Sequence, residues 1–245
     1  MITFPVITPR YCHSPQGCLY LGLCVTPINP AYTAPEITRQ LKAASASIIF
    51  SQTSISDKMT EVMKLLSHTD RITNIVIGDK KVGSLEQAVG WEDFLKISSS
   101  VYPEQADIDI KKDVALLPFS SGTTGLPKAV MLSQYNIVAH SCCISANDPE
   151  FFYRAAGSFQ DVSVVVLPLY HIYGLSDVVT GGLHHGAKLV LLPSFSPELY
   201  VRSIREHRPS VLHLVPPLVS FLASSPLLTT SDLSSLRQVS VRCSV

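Results

Sequence analysis

The sequence has no long apolar run and little charge of either sign. Charged residues make up 16% of the 245 residues, and 19 basic side chains balance 19 acidic ones. Because no stretch concentrates lysine or arginine, the sequence offers no electrostatic surface for nucleic acid or an anionic membrane. The longest apolar run, Val162 to Tyr170, has the length of a buried strand, well below the roughly 20 residues that span a bilayer. We therefore expect no nucleic-acid partner and no transmembrane segment.

Cysteine is also scarce. Six cysteines in 245 residues are too few for a disulfide-stapled mini-domain. Cys12, Cys18 and Cys24, with five residues between successive members, match no metal-ligand pattern. The amino-terminal residues lack the basic start and apolar core of a secretory signal, and the final Cys-Ser-Val is no recognised peroxisomal signal. These features predict reduced thiols, no metal site among the cysteines and a cytoplasmic location.

Helical and strand-like patterns alternate along the chain, which predicts an α/β fold with helices on the faces of a sheet. Thr33 and Glu36 form a capping box at the start of one helix, and Ile37, Leu41 and Ala44 then share one helix face. The further predicted helices are 57–68, 91–97, 136–146, 174–182, one opening at 196–198, and 217–225.

The strand-like segments are nearly continuous runs of valine and leucine, which is typical of parallel sheets buried on both faces. The predicted strands are 46–51, 72–78, 114–119, 162–169, 187–193, 210–216 and 236–241. Residues 79–112 are more irregular and carry the only tryptophan, Trp91. We expect this segment to divide a first α/β piece from a second.

A polar loop, "SSGTTGLPK" from Ser120 to Lys128, follows the predicted strand 114–119. It is no Walker A loop, because Pro127 stands where that motif has glycine and Ala129 where it has serine or threonine. The dinucleotide fingerprint fails too, since the loop has only two glycines. The strand 162–169 ends without the aspartate that P-loop enzymes use to hold Mg²⁺.

The composition of the loop nevertheless suits a phosphate group. Glycines allow close approach of an anion, four hydroxyls can donate hydrogen bonds, and Lys128 supplies a mobile positive charge. The loop also lies beyond the carboxyl end of a strand, where α/β sheets bind ligands. A flexible surface loop has the same composition, and both interpretations stay open on composition alone.

Four segments, in order, resemble the adenylate-forming (AMP-binding) superfamily, which includes acyl-CoA synthetases, 4-coumarate–CoA ligases, insect luciferases and peptide-synthetase adenylation domains. The segments are "TPINPAYTAPEITRQLKAASASIIF", "PFSSGTTGLPKAVMLSQYN", "VLPLYHIYGL" and "VPPLVSFLASSPLLTTSDLSSLRQVSV". The resemblance implies mostly parallel sheets flanked by helices. It also implies a two-step reaction: a carboxylate and ATP give an acyl-adenylate, and CoA then takes the acyl group.

The resemblance also implies site residues. His171 aligns with a catalytic histidine beside the reacting carboxylate, and Tyr173 with a residue lining the acyl pocket. The residues that align with the loop on the ATP phosphates, assisted by Mg²⁺, are Ser120, Ser121, Gly122, Thr123, Thr124, Gly125 and Lys128.

Several positions depart from the family pattern. Ala129 replaces a usual glycine, and Gln134 replaces a usual histidine. Ser194 stands where related ligases often have a lysine associated with CoA, which leaves the thiol acceptor open. His184 and His185 are adjacent, and adjacent residues rarely chelate one ion, so we expect both at the surface.

The resemblance covers residues 26–241, a partial AMP-binding domain, between a divergent segment 1–25 and a non-family tail 242–245. The family's C-terminal domain and several of its nucleotide and metal contacts have no counterpart in the sequence. We therefore expect a fragment of a carboxylate–CoA ligase with little or no activity by itself. The alternative is a non-catalytic nucleotide-binding or interaction module, which could associate with a full-length relative.

Overall fold

The computed structural model describes residues 2–4, 9–66, 72–78, 88–96, 106–120, 127–147 and 151–242. The described residues form two compact units. Apart from Pro9, which groups with the second unit, they divide within one helix, between Asn136 and Ile137. Both are α/β in composition, and most of their strand pairs are parallel. The predicted fold class is confirmed.

The first unit is built on one seven-stranded sheet. Its strands are β1 (Ile2–Phe4), β2 (Val25–Pro27), β3 (Ile48–Gln52), β4 (Thr73–Ile77), β5 (Ala88–Gly90), β6 (Val114–Leu116) and β9 (Leu132–Ser133). Their order in the sheet is β5-β4-β3-β1-β2-β6-β9, and all neighbours are parallel except the β6–β9 pair. A two-stranded hairpin, β7 (Phe119–Ser120) with β8 (Lys128–Ala129), belongs to the same unit.

The helices of the first unit are α1 (Pro9–Tyr20), α2 (Ala34–Ala43), α3 (Ser56–Leu65) and α4 (Trp91–Lys96), with a 3₁₀ turn at Thr53–Ile55. The predicted capping box is present, because Glu36 accepts hydrogen bonds from Thr33 N and Thr33 Oγ1, both at 2.7 Å. These bonds lower the pKa of Glu36. Ile37 and Leu41 then pack with Ile49 and Val62 in the core between α2, α3 and the sheet.

The predicted divide at 79–112 is wrong. Within that segment, β5 extends the sheet beside β4, and β6 after it returns to pair with β2 in the same sheet. The order of the strands in the sheet differs from their order in the sequence. The irregular segment 79–112 therefore does not mark the boundary between the two units. The remaining parts of that segment, 79–87 and 97–105, lie outside the described residues.

The predicted strand 114–119 is interrupted. Leu117 N donates to Val25 O at 2.8 Å, and Pro118 then ends the ladder because proline has no N–H to donate. Phe119 and Ser120 turn instead into the β7–β8 hairpin.

The second unit contains two parallel pairs, β10 (Val162–Val165) with β11 (Lys188–Leu191) and β12 (Val211–Leu214) with β13 (Gln238–Val241). The two pairs are joined where Ser210 N donates to Val162 O at 2.9 Å. The helical elements are the remainder of α5 (Gln134–Asn147), a π-helical segment (Tyr173–Thr180), α6 (Gly181–His185), α7 (Pro197–His207), α8 (Pro216–Ser224) and a 3₁₀ turn (Thr230–Leu233). In the part of the chain that the structure describes, no helix is long and apolar enough to cross a membrane.

Candidate active site

The β7–β8 hairpin brings the two ends of the polar loop together. Ser120 pairs with Lys128 across the antiparallel ladder, and Phe119 pairs with Ala129. Val130 N donates to Pro118 O at 2.9 Å and continues the pairing. A hydroxyl and an ammonium group are therefore presented at one end of a short hairpin.

Both described ends of the loop, Ser120 and Lys128, are exposed. A hydroxyl donor and a positive charge at an accessible hairpin end suit the oxygens of a polyphosphate. The remaining predicted loop residues lie outside the described part of the chain, and their assignment stays a prediction: Ser121, Gly122, Thr123, Thr124 and Gly125.

Two of the residues that depart from the family pattern, Ala129 and Gln134, have structural explanations. The side chain of Ala129 is exposed, so the methyl group that it has in place of the usual glycine hydrogen meets no packed core. Gln134 lies at the start of α5 and donates from Nε2 to Leu19 O at 3.1 Å. Ser194 is exposed after β11, and nothing in the structure assigns it a ligand.

A tight turn carries His171 from the region after β10 into a helix. His171 N donates to Pro168 O at 3.2 Å, and Leu175 N donates to His171 O at 3.0 Å, which begins the next helical segment. A Cβ atom on Gly174 would lie 2.5 Å from Pro168 O. Only glycine allows this close approach, which explains the glycine in the "YHIYG" motif.

The ring of His171 is exposed and has a defined tautomer. Tyr173 N donates to His171 Nδ1 at 3.2 Å. Because Nδ1 accepts this bond, a neutral ring carries its proton on Nε2. His171 therefore presents an N–H donor at the surface, where it can bond an incoming carboxylate oxygen.

Tyr173, two residues later, is buried and begins the π-helical segment. Its ring meets the ring of His213 edge to face, 6.3 Å between centroids, and the guanidinium of Arg242 lies 5.7 Å from its centroid. Its hydroxyl donates to Ser240 O at 3.5 Å. Burial raises the pKa of Tyr173, so this side chain is uncharged. It contributes an apolar ring surface and one polar group, the hydroxyl.

One buried acid in this region, Asp177, was missed from the sequence. It lies one turn after Tyr173 and accepts a 2.8 Å bond from His140 Nε2, while Arg242 Nη1 lies 3.6 Å from its other oxygen. Asp177 is the one carboxylate in a mostly apolar helical segment. Because a buried carboxylate needs polar partners, this pattern could have indicated a functional or paired side chain. Its two partners come from distant parts of the chain, which no local spacing shows.

The hairpin belongs to the first unit, and His171 and Tyr173 belong to the second. Each half of the candidate site is therefore described within its own unit. Among the described residues, no cluster of three or more histidine, cysteine or acidic side chains could hold a metal ion.

The sequence profile of the AMP-binding enzyme family matches residues 7–244. The chain belongs to this family. Among curated relatives, this AMP-binding family member is 33% identical over 233 residues to 4-coumarate–CoA ligase 3 of Oryza sativa subsp. japonica, covering 94% of the chain and 39% of the relative. It is 32% identical over 234 residues to 4-coumarate–CoA ligase 1 of Petroselinum crispum, covering 95% of the chain and 40% of the relative.

Solved structures share the fold of this AMP-binding family member. A red-emitting luciferase from Phrixothrix hirtus matches 98% of the chain and 45% of its own, with a TM-score of 0.82 and 22% identity. ATP-bound MatB from Rhodopseudomonas palustris matches 98% of the chain and 44% of its own, with a TM-score of 0.75 and 22% identity. The chain spans about 40% of the length of the two curated 4-coumarate–CoA ligases.

Proposed function

We propose that this chain carries the nucleotide loop and the carboxylate-side turn of an ATP-dependent carboxylate–CoA ligase. The observation that carries the proposal is the family match over residues 7–244, which includes both the β7–β8 hairpin and the turn at His171. Similarity to 4-coumarate–CoA ligases supports a carboxylic acid as substrate and CoA as acyl acceptor. The similarity to an ATP-bound neighbour supports ATP as the nucleotide.

In the proposed reaction, a carboxylate oxygen attacks the α-phosphorus of ATP and pyrophosphate leaves. A thiol sulfur then attacks the acyl carbonyl carbon, and AMP leaves. The first step brings a carboxylate towards a polyanion, so positioning and charge neutralisation set its rate.

Four residues of the chain would each have a separate role in positioning and charge neutralisation. Lys128 would neutralise charge on the phosphates, and Ser120 would donate a hydrogen bond to a phosphate oxygen. His171 would donate from Nε2 to the carboxylate, and Tyr173 would form one wall of the acyl pocket. Mg²⁺ would add charge neutralisation at the phosphates, where the hydroxyl oxygen of Ser120 could ligate it and the ammonium group of Lys128 could not.

By itself, the 245-residue chain is proposed to have little or no ligase activity. It spans 39% of the length of a curated ligase, and active-site groups that act as a unit lose rate by orders of magnitude when some are removed. The second candidate is a nucleotide-binding module without catalysis that associates with a full-length relative.

ATP–pyrophosphate exchange with a panel of carboxylates tests both candidates. We expect ATP to stabilise the chain and exchange to stay near background. Strong carboxylate-dependent exchange would contradict low activity while supporting ligase chemistry, and the Lys128→Ala variant should then lose it. A chain that shows neither exchange nor stabilisation by ATP would contradict both candidates.

A further inference from the structure

A chain of buried hydrogen bonds supports the point where the polypeptide leaves the sheet of the first unit and enters the β7–β8 hairpin. It runs from Gln40 on α2, through Thr26 on β2, to the carbonyl oxygen of Leu117. We infer that Thr26 and Gln40 are positioning residues, which hold the end of the hairpin in the geometry that binds a phosphate group. The inference rests on the proposed function, because that function assigns the phosphates of ATP to the hairpin.

Proline leaves the sheet without one backbone donor at this point. Leu117 N donates to Val25 O at 2.8 Å, and in a parallel ladder the next bond would run from the N–H of residue 27 to Leu117 O. Residue 27 is Pro27, which has no N–H to donate. Because Leu117 is buried, its carbonyl oxygen needs a donor from another group.

The side chain of Thr26 supplies that donor. The residue is fully buried, and its Oγ1 hydroxyl donates to Leu117 O at 2.8 Å. Gln40 Nε2 in turn donates to Thr26 Oγ1 at 3.1 Å and to Pro27 O at 3.0 Å. Because a side-chain NH₂ group only donates, Gln40 occupies an acceptor site of the Thr26 hydroxyl and leaves the hydroxyl proton for Leu117 O. The direction of both bonds is therefore fixed.

The hairpin begins directly after this carbonyl group. Pro118 O accepts from Val130 N at 2.9 Å, and Ser120 then pairs with Lys128. The ring of Pro118 fixes its φ angle, so a shift of Leu117 is passed to the hairpin with little adjustment on the way. Contacts to a phosphate are sensitive to such a shift, because hydrogen bonds weaken steeply when their geometry departs from the optimum.

The test measures the binding of ATP, with Mg²⁺ present, to the full 245-residue chain by titration calorimetry. Thr26→Val keeps the shape of the side chain and removes the hydroxyl, so it should weaken ATP binding about fivefold. Thr26→Ser keeps the hydroxyl and should bind ATP within about twofold of the wild type.

Variants of Gln40 test whether this residue acts through Thr26. Gln40→Met removes the amide donors and should weaken ATP binding about twofold, because the Thr26 hydroxyl keeps its own proton. In the double variant of Thr26→Val and Gln40→Met, the affinity should equal that of Thr26→Val alone, since residues that act through one another are not additive.

Thr38→Val is the matched control. Thr38 is also a buried threonine, on the same helix as Gln40, and its Oγ1 donates to Ala34 O at 2.8 Å. Its valine variant loses a comparable hydrogen bond away from Leu117 and should bind ATP as the wild type does. A second measurement is the hydrogen exchange of the Val130 amide, which should be faster in Thr26→Val than in Thr38→Val.

Equal ATP affinities of the wild type and Thr26→Val would overturn the inference and leave the proposed function standing. Equal losses in Thr26→Val and Thr38→Val would overturn it as well, because a general loss of stability would then be the cause. No binding of ATP by the wild type would contradict the proposed function itself. If Thr26→Val does not fold, the affinity of Gln40→Met and its Val130 exchange rate, each compared with Thr38→Val, decide the question.

Discussion

At the scale of single residues, His213 is the least expected group in the molecule. It lies on β12, only 3% exposed, with ring centroids 4.4 Å from Phe151 and 4.9 Å from Phe152. Neither ring nitrogen has a hydrogen-bond partner among the described residues. Burial, and secondarily the charge of Arg242, lowers the pKa of His213 to about 3.

This shift makes stability depend on pH. Between about pH 3 and the ordinary value of 6.5, the unfolded chain binds a proton that the folded chain does not. The free energy of unfolding therefore falls as the pH falls below about 6.5, by about 2 kcal/mol on reaching pH 5.

Urea unfolding at pH 7 and pH 5 measures this loss. His213→Leu should remove most of the pH dependence, and it should raise stability at pH 7 by about 1 kcal/mol because an unpaired buried polar group is gone. An unchanged pH dependence in the leucine variant would show that His213 does not titrate as described.

At the scale of elements, local signals predicted the helices best. Ser196 was expected to open a helix, and its Oγ accepts from Leu199 N at 3.2 Å at the start of α7. The β7–β8 hairpin was missed, because two-residue strands around serine and glycine have no pattern that differs from a loop. The π-helical form of Tyr173–Thr180 depends on tertiary packing, which the apolar sequence does not specify.

Hydrogen bonds to one buried carboxylate, that of Asp161, connect segments next to three strands of the second unit. It accepts hydrogen bonds from Tyr153 N at 2.7 Å, Ser210 Oγ at 2.6 Å and Arg237 Nη2 at 2.8 Å. These donors come from the segment before β10, from the residue before β12 and from the residue before β13. The carboxylate is fully buried, so each bond compensates its lost hydration.

Replacing Asp161 should therefore be costly. Asp161→Ala removes the charge that Arg237 faces and leaves buried donors unpaired, which should lower the free energy of unfolding by about 3 to 5 kcal/mol. Chemical denaturation monitored by circular dichroism measures the loss. Asp93→Ala is the control, because its ion pair with Lys96 is exposed at the surface and should be worth under about 1 kcal/mol. Equal effects of the two substitutions would contradict this account.

At the scale of the whole molecule, the alternation of helix and strand predicted an α/β fold with mostly parallel strands, and the motif resemblance predicted the family. The boundary between the units was predicted wrongly, because the pairing of β6 with β2 joins residues that are about 90 positions apart. The roles of Lys128, His171 and Tyr173 came from motif resemblance, since neither composition nor spacing alone distinguished a phosphate loop from a surface loop. The domain limits 1–25, 26–241 and 242–245 stay predictions.

The central claim is that the hairpin end at Ser120 and Lys128 contacts the phosphates of ATP. The most direct test is the thermal unfolding of the chain with and without ATP and Mg²⁺, compared among the wild type, Lys128→Ala and Lys188→Ala. Lys188 is an exposed lysine on a strand, β11, and serves as the matched control. We expect saturating ATP to raise the wild-type and Lys188→Ala midpoints by about 3 °C and the Lys128→Ala midpoint by much less. An equal rise in all three proteins, or no rise in the wild type, would contradict the claim.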